Sequence, residues 1–235
     1  MTGMLNEFFQ MNPISGMLLT IGCYWIGQAI FEKTKLTILQ PILTSSALII
    51  SFLIFADIPF EVYNDQNMIL NYILPLTAVA LAVPLYRNLH ILKKHALPIL
   101  AGITAGTLAT MGSIIAFGKL IGTSESIMIS MLPKSATNPI AIEVSEIIGG
   151  IPSLTVAMVV NAGVFGGILG PEVLRLMRIK NEVAKGIALG SMSHAVGTAR
   201  AFKEGEVEGA MSSLAMAIAG TLTAILSPLF VLLIQ

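Results

Sequence analysis

The chain has 235 residues, of which 55% are hydrophobic and only 11% charged, and its formal net charge is zero. Soluble domains carry about 25% charged residues, so an ordinary water-facing surface, a disordered chain and a basic nucleic-acid binder are all excluded. What remains is a polytopic, all-α membrane protein, in keeping with 21 glycines that let membrane helices approach closely.

The segment Met1–Gln10 is not basic, and the first apolar stretch ends at Glu32-Lys33 without a small-residue cleavage pattern. It reads as a first membrane helix and not as a removable signal peptide. Charge-free stretches then predict spans at Phe8–Phe31, Leu36–Ala56, Asn67–Tyr86, Ala96–Gly118, Ile147–Pro171 and Gly209–Gln235. Each reaches the roughly 20 residues needed to cross a core about 30 Å thick. Two regions are shorter or more polar. Ile127–Ile148 is interrupted by Pro133-Lys134, Asn138-Pro139, Glu143 and Glu146, and Gly186–Ala199 ends at Arg200.

Nine of the thirteen basic residues fall in three turns, at 32–35, 87–95 and 175–185, whereas 57–66 holds only acidic charges. The positive-inside rule puts those turns in the cytoplasm and the N-terminus outside. Parity then requires 124–148 to enter and leave on one side, as a re-entrant hairpin or two half-helices. The chain reads as a single transmembrane domain, 1–235, with repeat halves of roughly 1–122 and 123–235. Ala82-Val83-Pro84, Arg87 and Gly106-Thr107-Leu108 recur as Ala195-Val196-Gly197, Arg200 and Gly220-Thr221-Leu222, with opposite predicted topology. Gln40-Pro41-Ile42 and Asn138-Pro139-Ile140 form a weaker echo. Inverted repeats with broken helices are a hallmark of secondary transporters.

The chemistry is expected at the two broken segments. In the first, Thr137 or Asn138 suits a helix N-cap and Pro139 the first helical position, so backbone N–H groups would face the break as an anion site. Lys134, Ser135, Thr137 and Asn138 add donors. Glu143 and Glu146 share a face at i, i+3 and are candidates for ion or proton coupling. In the second, Ser191, His194 and Thr198 share one helical face at i−3, i and i+4, Ser193 is a further hydroxyl candidate, and Arg200 offers a fork suited to a carboxylate. His194 is also a coupling candidate. Pro133, Pro139 and Gly197 are the expected helix-breaking positions. Glycine pairs at 102/106, 163/167, 166/170 and 186/190 read as helix-packing spacings, and 203–208 as a solvated turn. Asn161 reads as a cross-helix bond or part of the site.

Cys23 stands alone, so no intramolecular disulfide forms, and His90, His95 and His194 lack metal-ligand spacing. There is no phosphate-loop motif and no Ser-His-Asp order. The expectation is therefore no catalysis, no metal and no cofactor.

At Leu132-Pro133-Lys134-Ser135 with Pro139-Ile140-Ala141, at Glu143-Val144-Ser145 with Gly149-Gly150-Ile151-Pro152, and at Ser193–Arg200 with Glu204-Gly205-Glu206, the chain resembles the LrgB family, also called CidB/LrgB or YohK-type. The likeness runs over essentially the whole chain. It departs at position 138, which is Asn where the family is associated with a small hydroxyl residue.

The resemblance implies a multipass protein of the bacterial inner (cytoplasmic) membrane and two rival functions. Bacterial members are named antiholin-like, regulators of murein hydrolase export and cell lysis that act with a small LrgA- or CidA-like membrane partner. Plastid members are glycolate/glycerate translocators, and some bacterial relatives are linked to pyruvate uptake. The residues favour a carrier of small monocarboxylates (glycolate, glycerate, lactate, pyruvate) working by alternating access, with His194, Glu143 or Glu146 available to carry a coupled proton. The expected partners are thus a small organic anion, the lipid bilayer and, in the lysis-control reading, the small membrane protein. The glycine-rich faces also permit a homodimer.

Overall fold

The computed structural model describes residues 9, 12, 14–34, 39, 41–80 and 82–234. Twelve helices and no strand occur among them. Residues at and before Phe8, together with Lys35, Leu36, Gln40 and Gln235, belong to expected spans, turns or echoes but lie outside the described residues. The described chain falls into two compact units that divide after Ala80.

The first unit contains α1 (Ser15–Thr34), α2 (Pro41–Ala56), α3 (Phe60–Asp65) and α4 (Met68–Ala80). Helices α1 and α2 pack together. The first turn of α1 has backbone donors with no partner inside the helix, and Gln66 supplies one. Its Oε1 accepts from Ser15 Oγ at 2.7 Å and from the Gly16 N–H at 3.0 Å, while its Nε2 donates to the Phe9 carbonyl. Thr20 Oγ1 donates to Asn67 Oδ1 at 2.9 Å. A polar knot thus fixes where α1 begins.

The second unit starts with α5 (Ala82–Arg87), α6 (Leu89–Lys94) and α7 (Ala96–Ile121) and continues with α8 (Glu125–Met131), α9 (Asn138–Ile148), α10 (Pro152–Leu176), α11 (Glu182–Glu204) and α12 (Glu206–Val231). The expected span Asn67–Tyr86 is therefore helical as Met68–Ala80 and again from Ala82. Helices α7, α10 and α12 have 26, 25 and 26 residues and are apolar enough to cross a membrane. At about 1.5 Å per residue each exceeds a 30 Å core. Helices α8 and α9, with 7 and 11 residues, fall far short of it, so 125–148 is a pair of half-helices around a break.

Helix α11 packs on α12 along one side and on α10 along another, and α7 contacts both α11 and α12. Ile99 and Ile103 of α7 form a core with Ala210, Met211, Ala215 and Ala219 of α12. The glycine spacings divide by environment. At Gly186 and Gly190 a Cβ would collide with the α12 backbone at Glu208 and Ser212, and at Gly170 with the Leu189 side chain. At Gly102 and Gly106 it would meet only ordinary contacts of 3.8 and 3.7 Å with Ile187 and Ser191. Close packing is thus concentrated on α10 and α11.

The run 203–208 is not a plain solvated turn. Gly205 alone separates α11 from α12, and Glu208 is buried, its carboxylate 3.7 Å from Lys185 Nζ.

Candidate functional site

The first break is the stretch 132–137 between α8 and α9. Proline at 133 and 139 and the extended backbone of Thr137 (φ −72°, ψ 152°) make a continuous helix unfavourable. Thr137 is the N-cap by position, but its side chain makes no cap hydrogen bond. Helix α9 stops at Gly149, whose φ of 79° suits glycine.

A hydroxyl cluster holds this hairpin together. Thr155 Oγ1 of α10 donates to the Ser130 carbonyl at 2.8 Å and lies 2.7 Å from Ser145 Oγ of α9. Ser130 Oγ accepts from the Ile151 N–H at 2.8 Å. All three side chains are buried, and together they join α8, α9 and α10. Reading the sequence did not single out these residues, because hydroxyls spaced 10 to 25 positions apart carry no periodic signal.

The second break falls inside α11, at Ser193 (φ −126°, ψ 15°) and His194 (φ 40°, ψ −131°). Gly197, the expected breaking residue, is helical and lies one turn beyond. Its role is proximity: a Cβ there would strike the Leu189 carbonyl across the kink. A histidine at positive φ is strained, and the surroundings hold it there. Its Nε2–H donates to the Val159 carbonyl of α10 at 2.9 Å, which leaves Nδ1 of the neutral ring as an acceptor. Room for the break comes from α10, where a Cβ at Gly163 would lie 2.6 Å from the imidazole Cε1 and one at Gly166 would overlap Ser193.

The two breaks meet at Val159. Its carbonyl takes the bond from His194, and its side chain packs with Ala136 and Ala141 from either side of the first break's end. Lys134, half-buried, stands in the first break two residues before Ala136, which packs on Val159. Among the described residues Lys134 makes no ion pair. Among the described residues four buried side-chain polar atoms have no hydrogen-bond partner; Thr44 Oγ1 lies in α2, and the other three are Ser135 Oγ in the first break, Asn138 Oδ1 at its edge and Ser193 Oγ in the second. Buried polar groups are nearly always satisfied, so unpartnered atoms in two adjoining breaks mark a place suited to a polar guest. The arrangement offers an ammonium, hydroxyls, an amide and the N-terminal turn of α9, a donor set that fits a small anion.

The other expected site residues lie elsewhere. Thr198 is buried but engaged, 2.9 Å from Ser212 Oγ of α12. Arg200 pairs with Glu204 at 2.6 Å and lies about 9 Å of helix beyond His194. Glu143 and Glu146 are exposed, off the face of α9 formed by buried Ala141, Val144 and Ser145. Asn161 is exposed and donates to the Ala157 carbonyl of its own helix. Among the described residues no group of three or more His, Cys, Asp or Glu side chains could hold a metal ion.

The profile of the LrgB-like family matches residues 20–233, which contain both breaks. The chain is 39% identical over 215 residues to a Bacillus subtilis (strain 168) protein named "Uncharacterized protein YxaC", covering 92% of this chain and 94% of that one. It is 36% identical over 221 residues to "Antiholin-like protein LrgB" of Bacillus mycoides (strain KBAB4) and of Bacillus cereus (strain B4264), covering 94% of this chain and 96% of each relative. No solved structure gives a significant match. With likeness at this level running through nearly the full length of chain and relatives, and apolar helices of spanning length, this multipass membrane protein belongs to the LrgB-like family.

Proposed function

We propose that the chain is an antiholin-like protein of the LrgB type, acting in the bacterial inner membrane to regulate murein hydrolase export and cell lysis together with a small LrgA- or CidA-like membrane partner. The observation that carries this reading is the 36% identity to antiholin-like relatives over 96% of their length. It is a non-enzymatic role. By the positive-inside rule the turns at 87–95 and 175–185 face the cytoplasm and the N-terminus lies outside.

A second reading is favoured by one feature of the site, the convergence of two helix breaks on Val159 with unpartnered polar atoms in both. On this reading the protein carries small monocarboxylates across the membrane by alternating access between inverted repeats. Lys134 and the first turn of α9 hold the carboxylate, Ser135, Asn138 and Ser193 bind its hydroxyl or oxo group, and Nδ1 of His194 accepts a coupled proton.

Uptake of labelled glycolate, glycerate, lactate and pyruvate into proteoliposomes holding the purified chain alone separates the two. Saturable uptake that is lost in Lys134→Ala establishes the carrier, and lysis control then follows from metabolite flux. Absence of uptake, with a lysis phenotype that requires the small partner, leaves the antiholin-like role alone. Normal uptake in Lys134→Ala would remove the proposed site.

A further inference from the structure

A second polar site lies where α10 ends and α11 begins. A cavity of about 240 Å³ there is lined by Arg175, Arg178, Lys180, Lys185 and Glu204. Its apolar floor includes Leu174 and Leu189, buried side chains on which Ile179 packs. Glu204, the acid in its lining, is already engaged, and so are two of its basic residues. Glu204 pairs with Arg200 at 2.6 Å, Lys185 lies 3.7 Å from Glu208, and Arg175 pairs with Glu172 at 2.8 Å. Among the described residues Arg178 and Lys180 form no ion pair. The cavity therefore carries two uncompensated cations.

The turn that presents them is built, not loose. The Ile179 N–H donates to the Leu174 carbonyl at 2.9 Å and the Arg178 N–H to the Arg175 carbonyl at 3.0 Å. This is the Schellman end of a helix, in which the residue at the left-handed position is usually glycine. Here it is Arg178, with φ 58°. Glycine would fold the same turn without strain, so the backbone tolerates a conformation unfavourable to arginine at the place where its guanidinium lines a cationic cavity. Strain of this kind gathers at ligand sites. The cavity also sits at the end of a helix long enough to cross a membrane, next to exposed Leu176 and Met177.

We propose that this cavity binds a phosphate group, gripped by the Arg178 fork and the Lys180 ammonium, and supplied either by an anionic phospholipid headgroup or by a free phosphate in solution. Arginine matches phosphate geometry with two parallel hydrogen bonds, and basic pockets between membrane helices are suited to anionic headgroups. This site is separate from the two breaks and does not depend on what passes through them.

The test is thermal unfolding of the purified full chain in detergent, titrated separately with dioleoylphosphatidylglycerol, dioleoylphosphatidylcholine and inorganic phosphate. Phosphatidylglycerol is expected to raise the midpoint where phosphatidylcholine does not. A rise with inorganic phosphate alone would identify the free ion as the source. In Arg178→Gly the unliganded midpoint should equal or exceed that of the wild type, while the apparent affinity falls about tenfold or more. Lys180→Gln, on an exposed side chain, should weaken binding in the same direction and guards against misfolding of the first variant. Equal shifts with both lipids, no shift with any probe, or unchanged affinity in both variants would overturn the site.

Discussion

Gly163 and His194 face each other across the α10–α11 contact so closely that a Cβ on the glycine would lie 2.6 Å from the imidazole Cε1. The break in α11 thus depends on a missing side chain in another helix. Gly163→Ala must push the ring away or strain the kink, at a cost of about 1–3 kcal/mol. Gly112→Ala, where nothing lies within 4 Å of the added Cβ, should be neutral or slightly stabilising, since alanine is the better helix former. Thermal unfolding in detergent measures both, and a midpoint for Gly163→Ala at or above that of the wild type would refute the dependence.

The hydroxyl cluster should be cooperative. Thr155→Val keeps the shape of the side chain but loses its bonds to Ser130 and Ser145, for about 1–2 kcal/mol in a membrane interior. A cysteine placed at Ala136, which is fully buried, should then react faster with a small thiol reagent than in the parent. Equal labelling rates would show that the hairpin is held by packing alone.

The Lys185–Glu208 pair joins the start of α11 to α12 over a carboxylate that is nearly inaccessible. Lys185→Met leaves that charge unpaired and should destabilise the fold by about 1–3 kcal/mol. Adding Glu208→Gln removes the charge and should recover most of the loss. A double-mutant cycle of unfolding midpoints checks the coupling, and additive effects would show that there is none.

Lys134 and Arg200 should behave differently in anion binding. Lys134 lies in the first break, two residues from the Ala136 that packs on Val159, whereas Arg200 is neutralised by Glu204. Lys134→Gln is expected to weaken carboxylate binding to the purified protein by about tenfold or more, the loss of one charge-assisted bond. Arg200→Ala combined with Glu204→Gln should leave it within about threefold. Titration with a labelled carboxylate measures both, and the reverse order would shift the binding site toward the end of α11.

The first break was legible because its cause is local. Pro133 and Pro139, six residues apart with the N-cap-forming Thr137-Asn138 between them, disfavour a continuous helix by themselves. The second was legible only as a region. Gly197 suggested an opening, but the backbone turns at Ser193 and His194, neither of them a residue that breaks helices by itself. The cause lies about thirty positions earlier in the chain, at Gly163 and Gly166, and no local propensity reports it. The pairing of Arg200 was concealed for a related reason. Its i, i+4 partner Glu204 is plain in the sequence, but reading 203–208 as a turn concealed that the helix continues far enough to pair them. Glu208 was concealed in the same way.

The single-residue link at Gly205 has a mechanical consequence. The C-terminal half of α11 and the whole of α12 are joined by one extended residue and clasped by the Thr198–Ser212 bond. So short a tether leaves no slack. Helix α12 is fastened to both halves of α11, by Lys185–Glu208 and the close approaches at Gly186 and Gly190 before the kink and by Thr198–Ser212 after it. The one departure from helical geometry within α11, at Ser193 and His194, is thus splinted by an unbroken neighbour. Gly220 of that neighbour lies against Ile140 of α9, so the same helix that braces one discontinuity also rests on the element that follows the other.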